Sequence, residues 1–180
     1  MNACGPKKPV TVTNLPPGVS QQAVQNWLTA TQKLDEAVSI THTVKQSIIA
    51  ARDAGGFPDN VAYGKALRLV GKALQVEGAG ADALKKQPNA WSTSVTTQVS
   101  GYVNEALTAL TDLTTTGAVG IKNPSTQQQV LALIGNSATI LRLILSLAVQ
   151  PVALLNEFQP PSINLIFRGE NFFEHKLVTA

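Results

Sequence analysis

Residues 20–51, SQQAVQNWLTATQKLDEAVSITHTVKQSIIAA, decide the fold of this chain. Small and apolar side chains recur there at steps of three and four residues: Ala23, Trp27, Ala30, Leu34, Ala37, Thr41, Val44, Ile48 and Ala51. This spacing is typical of a helix that packs along the seam of an antiparallel bundle. Ser20 is a candidate N-cap, and Gly55-Gly56 followed by Pro58 ends the pattern. The segment therefore predicts a helix of roughly 30 residues, about 45 Å long.

Three further segments have helical periodicity. One runs from Asp59 or Asn60 to about Lys86, one from about Ala90 to Thr114, and one begins with Ser125 as its cap. Short turns separate them, so the sequence predicts an all-α fold, an antiparallel bundle of about four helices over residues 20–155. Residues 1–19 form an N-terminal linker and residues 156–180 an extended C-terminal tail.

Composition supports this fold class and excludes others. The 180 residues are 44% hydrophobic but only 5% aromatic, whereas a β-sandwich or barrel needs more β-branched and aromatic residues at period two. The net charge of +3 is spread along the chain, without the concentrated basic face that nucleic-acid binding requires. We therefore expect no nucleic-acid partner.

The fourth segment is the most apolar. It has two apolar seams. The first consists of Leu131, Ile134, Ala138, Leu141, Leu145, Ala148, Val152 and Leu155, and the second of Val130, Leu133, Ile140, Ile144 and Leu147. This pattern predicts the buried helix of the bundle. Arg142, Gln150 and Pro151 interrupt it, which disfavours a membrane span. Either the Arg142 head reaches water, or it pairs with a group such as Glu105, Asp112 or a ligand anion.

A short repeat marks the second segment. Gly64-Lys65-Ala66-Leu67 is followed by Gly71-Lys72-Ala73-Leu74, and Gly78 continues the seven-residue spacing. Because glycine inside a helix costs roughly 1 kcal/mol relative to alanine, we expect another backbone to approach Gly64, Gly71 and Gly78 closely. Replacement of Gly71 by leucine should then destabilise the bundle or its oligomer.

Catalytic and metal-binding patterns are not recognisable in the sequence. His42 and His175 have no second histidine at ligand spacing, and the adjacent carboxylates Asp35 and Glu36 point about 100° apart on a helix. A single cysteine, Cys4, excludes a cysteine-based zinc site within one chain. We therefore expect a non-enzymatic protein without a metal site or a cofactor.

The C-terminal tail differs from the rest of the chain. It holds four of the five phenylalanines, Phe158, Phe167, Phe172 and Phe173, after Pro160-Pro161. Ile163, Leu165 and Phe167 alternate with polar residues, which suits a short strand or a strap across the bundle. The tail is a docking segment, a strap, or a vector-encoded extension that is not native to the domain.

The residues Ala3-Cys4-Gly5, followed by a linker with Pro6, Pro9, Pro16 and Pro17, resemble the processing site of bacterial lipoproteins. In that family a small residue precedes a cysteine that becomes the lipid-bearing N-terminus. The resemblance covers about five residues and the linker. It implies that Cys4 is acylated and that the membrane is a partner, at the outer membrane or the cell surface. The alternative is a cytoplasmic protein with an unmodified Cys4.

Three functions remain open at this point. The first is a non-enzymatic envelope lipoprotein that presents a helical bundle as a binding or structural module. The second is a phage-like structural or assembly protein, in which the glycine-faced helix and the residues Phe167, Phe172 and Phe173 contact neighbouring subunits. The third is a bundle with a small-molecule cavity near Arg142. The first two functions require a protein partner or self-association.

Overall fold

The computed structural model describes residues 20–86, 93–117, 120–148, 164–168 and 174–178. Four α-helices account for most of them: α1 (Gln21–Asp53), α2 (Asn60–Lys86), α3 (Thr93–Asp112) and α4 (Pro124–Ala148). One π-helical turn, Leu113–Gly117, extends α3. The four helices pack as a bundle, which confirms the all-α prediction.

Side-chain caps set the helix starts. The Ser20 hydroxyl accepts a hydrogen bond of 3.1 Å from the Ala23 amide, as the sequence predicted. The Asp59 carboxylate accepts one of 2.8 Å from the Ala62 amide at the start of α2. The predicted cap of α4, Ser125, is wrong. Asn123 is the capping side chain, and it accepts a hydrogen bond of 3.1 Å from the Thr126 amide.

The position of Pro124 explains why Asn123, and not Ser125, caps α4. Pro124 is the first residue of α4, and proline suits that position because its missing N–H has no intrahelical acceptor there. The cap therefore lies directly before the proline.

At the C-terminal end of α1, Gly55 has a φ of 70°, and the Gly56 amide donates to the Ala51 carbonyl at 2.7 Å. The predicted glycine stop is confirmed.

Contacts between α1 and α2 show that the two helices run antiparallel. Trp27, near the start of α1, donates a hydrogen bond to the carbonyl of Leu84, near the end of α2. Further along α1, Thr41 donates to Glu77, which lies earlier in α2. The residue numbers rise in one helix as they fall in the other.

α3 runs antiparallel to α2, and α4 runs antiparallel to α1. Lys72 of α2 pairs with Glu105 of α3 at 3.1 Å, and a Cβ placed on Gly80 would lie 3.5 Å from Cβ of Tyr102. Thr41 of α1 meets Ser137 of α4, whereas the Lys122 amide, before α4, donates to the Gly56 carbonyl, after α1. The topology is up-down-up-down, and α4 lies beside α1.

The core lies along the inner faces of all four helices. The largest side chains with less than 2% exposure are Trp27, Leu34, Ile48, Leu84, Leu110, Leu113, Leu141, Ile144, Glu77, Val44, Val70 and Val99. Ten residues of α1 are buried, and eight of them belong to the predicted stripe; Asn26 and Thr31 are buried beside it, and Ala23 is only half-buried. Phe57 from the α1–α2 turn and Ile121 from the segment before α4 close one end of the core.

The prediction that α4 is the most buried helix is wrong. Only Val130, Ile134, Ser137, Leu141 and Ile144 are buried in it, and they form a single face. Most of its other apolar side chains are half-buried, Ala132 is exposed, and Leu143 is 42% exposed. An 18-residue window of α4 has a mean hydropathy of 1.9, so among the described helices this one is long and apolar enough to cross a membrane. Of that window, 33% is buried within the bundle.

Two short strands follow the bundle. Residues Asn164–Arg168 (β1) and Glu174–Val178 (β2) pair antiparallel, with a register that runs from Asn164 opposite Val178 to Arg168 opposite Glu174. This pairing agrees with the alternating pattern that indicated a short strand around Leu165 and Phe167. The N-terminal linker, residues 1–19, lies outside the described residues.

Candidate functional site

Three helices place a polar side chain at one point in the middle of the bundle. The Thr41 hydroxyl of α1 donates a hydrogen bond of 2.9 Å to Oε1 of Glu77 in α2. The Ser137 hydroxyl of α4 lies 3.0 Å from Oγ1 of Thr41 and 3.4 Å from Oε1 of Glu77. We call these three residues the central polar cluster.

The helical periodicity explains why these side chains meet. Thr41 follows Leu34 and Ala37 in the apolar stripe of α1, so it points inward. Glu77 lies between the buried residues Ala73 and Gly80 of α2, and Ser137 lies three residues after the buried Ile134 of α4. Each of the three is a polar residue at a core position of its helix.

Burial dominates the electrostatics of the cluster. Glu77 is 1% exposed, and Thr41 and Ser137 are fully buried. Burial raises the pKa of Glu77 from 4.5 to about 7, although the hydrogen bonds from Thr41 and Ser137 oppose the shift. Oε2 of Glu77 has no hydrogen-bond partner among the described residues. The carboxyl group therefore exchanges its proton near neutral pH rather than in the acid range.

The chemistry available to the cluster is limited by its position. A carboxyl group and two hydroxyls could in principle pass a proton among themselves. Because all three are sealed from solvent, no substrate reaches them in this conformation. The arrangement therefore suits proton storage within the core better than turnover of a substrate.

The structure does not bring another backbone to the glycine repeat of α2. A Cβ built on Gly64, Gly71 or Gly78 would have no neighbouring atom within 4 Å. The predicted close approach is therefore wrong within the chain, because the three glycines lie off the buried face of α2. The close approach occurs at Gly80, where a Cβ would lie 3.1 Å from Cδ2 of Leu34.

Arg142 lies on the exposed side of α4. Of the two partners considered for it, Glu105 forms an ion pair with Lys72 instead. Among the described residues Arg142 has no ion pair, so its head is in water. This placement agrees with the interpretation in which the charged end of the side chain reaches solvent.

The other residues singled out in the sequence are distributed over the surface or fall outside the described ranges. His42 is exposed, Asp35 pairs with Lys85 at 2.9 Å, and Glu36 pairs with Lys33 at 2.7 Å. No group of three or more His, Cys, Asp or Glu side chains placed to hold a metal ion occurs within the described ranges.

Three of the predicted contact residues and the predicted lipid site belong to the ends of the chain. Phe167 lies in β1, where its backbone pairs with that of His175. Phe172, Phe173 and Cys4 lie outside the described residues.

Glu77 and Ser137 are the functional candidates that sequence reasoning missed. A signal was present, because Val70, Ala73, Glu77, Gly80 and Leu84 follow the same three-and-four spacing as the stripe of α1. A charged residue at such a position breaks the apolar pattern and marks a buried polar group. Ser137, between Ile134 and Leu141, is the same signal in α4.

Comparison of the chain with protein families, curated proteins and solved structures finds no match.

Proposed function

We propose that this chain is a non-enzymatic lipoprotein of the bacterial envelope, anchored through Cys4, whose helical bundle is a binding or structural module. The observation that carries the proposal is the sequence Ala3-Cys4-Gly5 directly before a proline-rich linker. The first helix begins at Gln21, so the linker has roughly 16 residues between Cys4 and the bundle. At about 3.3–3.6 Å per residue, it could hold the bundle up to roughly 55 Å from a lipid surface.

The bundle supports a role in binding or structure rather than in turnover. The central polar cluster is sealed from solvent, and three carboxylates of the helix surfaces, Asp35, Glu36 and Glu105, are paired with lysines. A lipid-anchored module of this kind acts through its surface, by contact with another protein of the envelope. Several acyl chains, at about 0.8 kcal/mol per buried methylene, would make the attachment stable.

The test is the mass of the N-terminal peptide from protein made by its own host with its native upstream sequence. We expect a peptide that begins at Cys4 and carries lipid, and membrane-fraction protein that becomes soluble in a Cys4→Ser variant. A peptide in which Cys4 is internal and unmodified would reject the lipoprotein proposal.

The open glycine stripe favours a second function, a structural or assembly protein. Gly64, Gly71 and Gly78 leave space beside α2 that a neighbouring subunit could occupy. Sedimentation of the wild type and of Gly71→Leu tests this function. An oligomer that dissociates in the variant supports it, and a monomeric wild type over a wide concentration range excludes it.

A further inference from the structure

We propose that the central polar cluster is a pH-sensitive joint, which holds α1, α2 and α4 together while Glu77 is protonated and lets them open more readily when Glu77 ionises. The proposal concerns the bundle itself and does not depend on the lipid anchor. It rests on where the three side chains meet, on their hydrogen bonds, and on the absence of a compensating charge beside them in the described helices.

The position of the cluster makes it a joint between helices. Thr41 and Glu77 connect the neighbouring helices α1 and α2, and Ser137 brings in α4. The layers on either side are apolar, with Leu34 and Val44 in α1 and Ile134 and Leu141 in α4 all buried. A change of charge at this point therefore acts on three helices at once.

Hydrogen-bond accounting favours the protonated carboxyl group. In the protonated form the Thr41–Glu77 hydrogen bond can reverse its direction: a proton on Oε1 of Glu77 is then donated to the Thr41 hydroxyl at 2.9 Å, which in turn can donate to Ser137 at 3.0 Å. After ionisation both hydroxyls can point only at Oε1, and Oε2 carries negative charge without a donor. An unpaired buried charge is far more costly than a neutral carboxyl group, so the ionised form favours an opening that admits water.

No positive charge among the described residues offsets this cost. The titratable or charged side chains within five residues of Thr41, Glu77 or Ser137 are Glu36, His42 and Lys45 of α1, Lys72 and Asp82 of α2, and Arg142 of α4; α3 adds Tyr102 and Glu105, which contact this part of α2. All are exposed or half-buried, and Lys72 is paired with Glu105. Glu77 is hydrogen-bonded only to Thr41 and Ser137 within the described part of the chain.

The shifted pKa of Glu77 places the transition in a physiological range. Because burial raises the pKa of this carboxyl group from 4.5 to about 7, the closed bundle holds a proton that an opened bundle releases. Between pH 5.5 and pH 8.5 this linkage increases the equilibrium constant for opening by roughly 30-fold.

Amide hydrogen exchange on the full chain tests the proposal. From pH 5.5 to pH 8.5, the protection factors of amides around Thr41, Glu77 and Ser137 should fall by roughly 30-fold. Those near Trp27 and Leu84, at one end of the bundle, should fall much less. Glu77→Gln keeps the size of the side chain but cannot ionise, so it should lose this pH response. Glu36→Gln, a matched change at an exposed glutamate, should keep it.

A measurement on the wild type guards against a variant that does not fold. The carboxyl carbon of Glu77, followed by NMR on glutamate-labelled protein, should titrate with a midpoint near pH 7, well above the ordinary glutamate value of 4.5. A Glu77 midpoint near 4.5 would overturn the proposal. Protection that is independent of pH, or that falls equally in all four helices, would also overturn it.

Discussion

The indole Nε1 of Trp27 donates a hydrogen bond of 3.2 Å to the carbonyl oxygen of Leu84, and so joins the beginning of α1 to the end of α2. The last carbonyls of a helix have no intrahelical donor, and Leu84 lies in the last turn of α2. The indole thus satisfies a buried acceptor and fills the core with a side chain that is 1% exposed.

Replacement of Trp27 by phenylalanine should therefore destabilise the bundle by about 1–3 kcal/mol, since it leaves the Leu84 carbonyl without a donor and reduces packing. Urea unfolding followed by circular dichroism measures the change. Gln32→Ala, at an exposed position of the same helix, is the control and should remain within about 0.5 kcal/mol of the wild type. An equal effect of both variants would show that the indole hydrogen bond does not contribute.

The stability of the bundle should depend on pH through Glu77. The folded state binds a proton up to about pH 7, whereas an unfolded glutamate releases it near 4.5. The unfolded chain thus binds fewer protons in this window, so the free energy of unfolding falls as pH rises from 4.5 to 7. The loss should reach about 3 kcal/mol and then level off above that range.

Denaturant titrations at pH 5, 6, 7 and 8 measure this dependence. The difference in unfolding free energy between the wild type and Glu77→Gln isolates the contribution of the carboxyl group from that of other residues. The difference should change steadily from pH 5 to pH 7. Parallel curves for the two proteins would contradict the prediction.

Leu141 and Leu143 give a comparison of burial at nearly the same place in α4. Leu141 is fully buried and Leu143 is 42% exposed. We expect Leu141→Ala to reduce the free energy of unfolding by about 2–5 kcal/mol, and Leu143→Ala by less than about 1 kcal/mol. Thermal and urea unfolding of the two variants, side by side, measure the contrast. Similar losses would mean that α4 is rotated relative to the bundle described here.

The open glycine repeat predicts a gain in stability. Because a Cβ at Gly71 meets no atom within 4 Å, Gly71→Ala should stabilise α2 by about 0.5–1 kcal/mol through helix propensity. Gly80→Ala is the matched variant, since its Cβ would press on Leu34 at 3.1 Å, and it should show no such gain. Equilibrium unfolding of the two variants tests the difference, and a loss of stability in Gly71→Ala would place a second molecule against this face.

Much of the fold could be predicted from the sequence, because a helix that packs in a bundle needs small or apolar residues at three- and four-residue spacing on its buried face. The stripe from Ala23 to Ala51 fixed the face of α1 that is buried, and Ser20 and Gly55 marked its ends. Apolar content was a poorer guide for α4, because an apolar helix does not indicate which of its sides meets a partner. Leu143 belongs to the same apolar run as Leu141 but faces outward.

The candidate site could not be predicted to the same extent. Thr41, Glu77 and Ser137 are far apart in sequence, and their meeting depends on the relative register of three helices. Periodicity places each side chain on the inner face of its own helix but does not fix that register. The unusual position of Glu77 could have been noticed, but its partners and its raised pKa required the assembled bundle.

The hydrogen bond from the Lys122 amide to the Gly56 carbonyl makes the two ends of the bundle different. It ties the turn after α1 to the segment before α4, so both connections are fastened at one pole of the bundle. The antiparallel order places the first residue of α1, Gln21, and the last residue of α4, Ala148, at the opposite pole. A surface that holds the chain by its amino-terminal side would thus face the pole of Gln21 and Ala148, and leave the fastened pole, with Phe57 and Ile121, as the outermost part of the molecule.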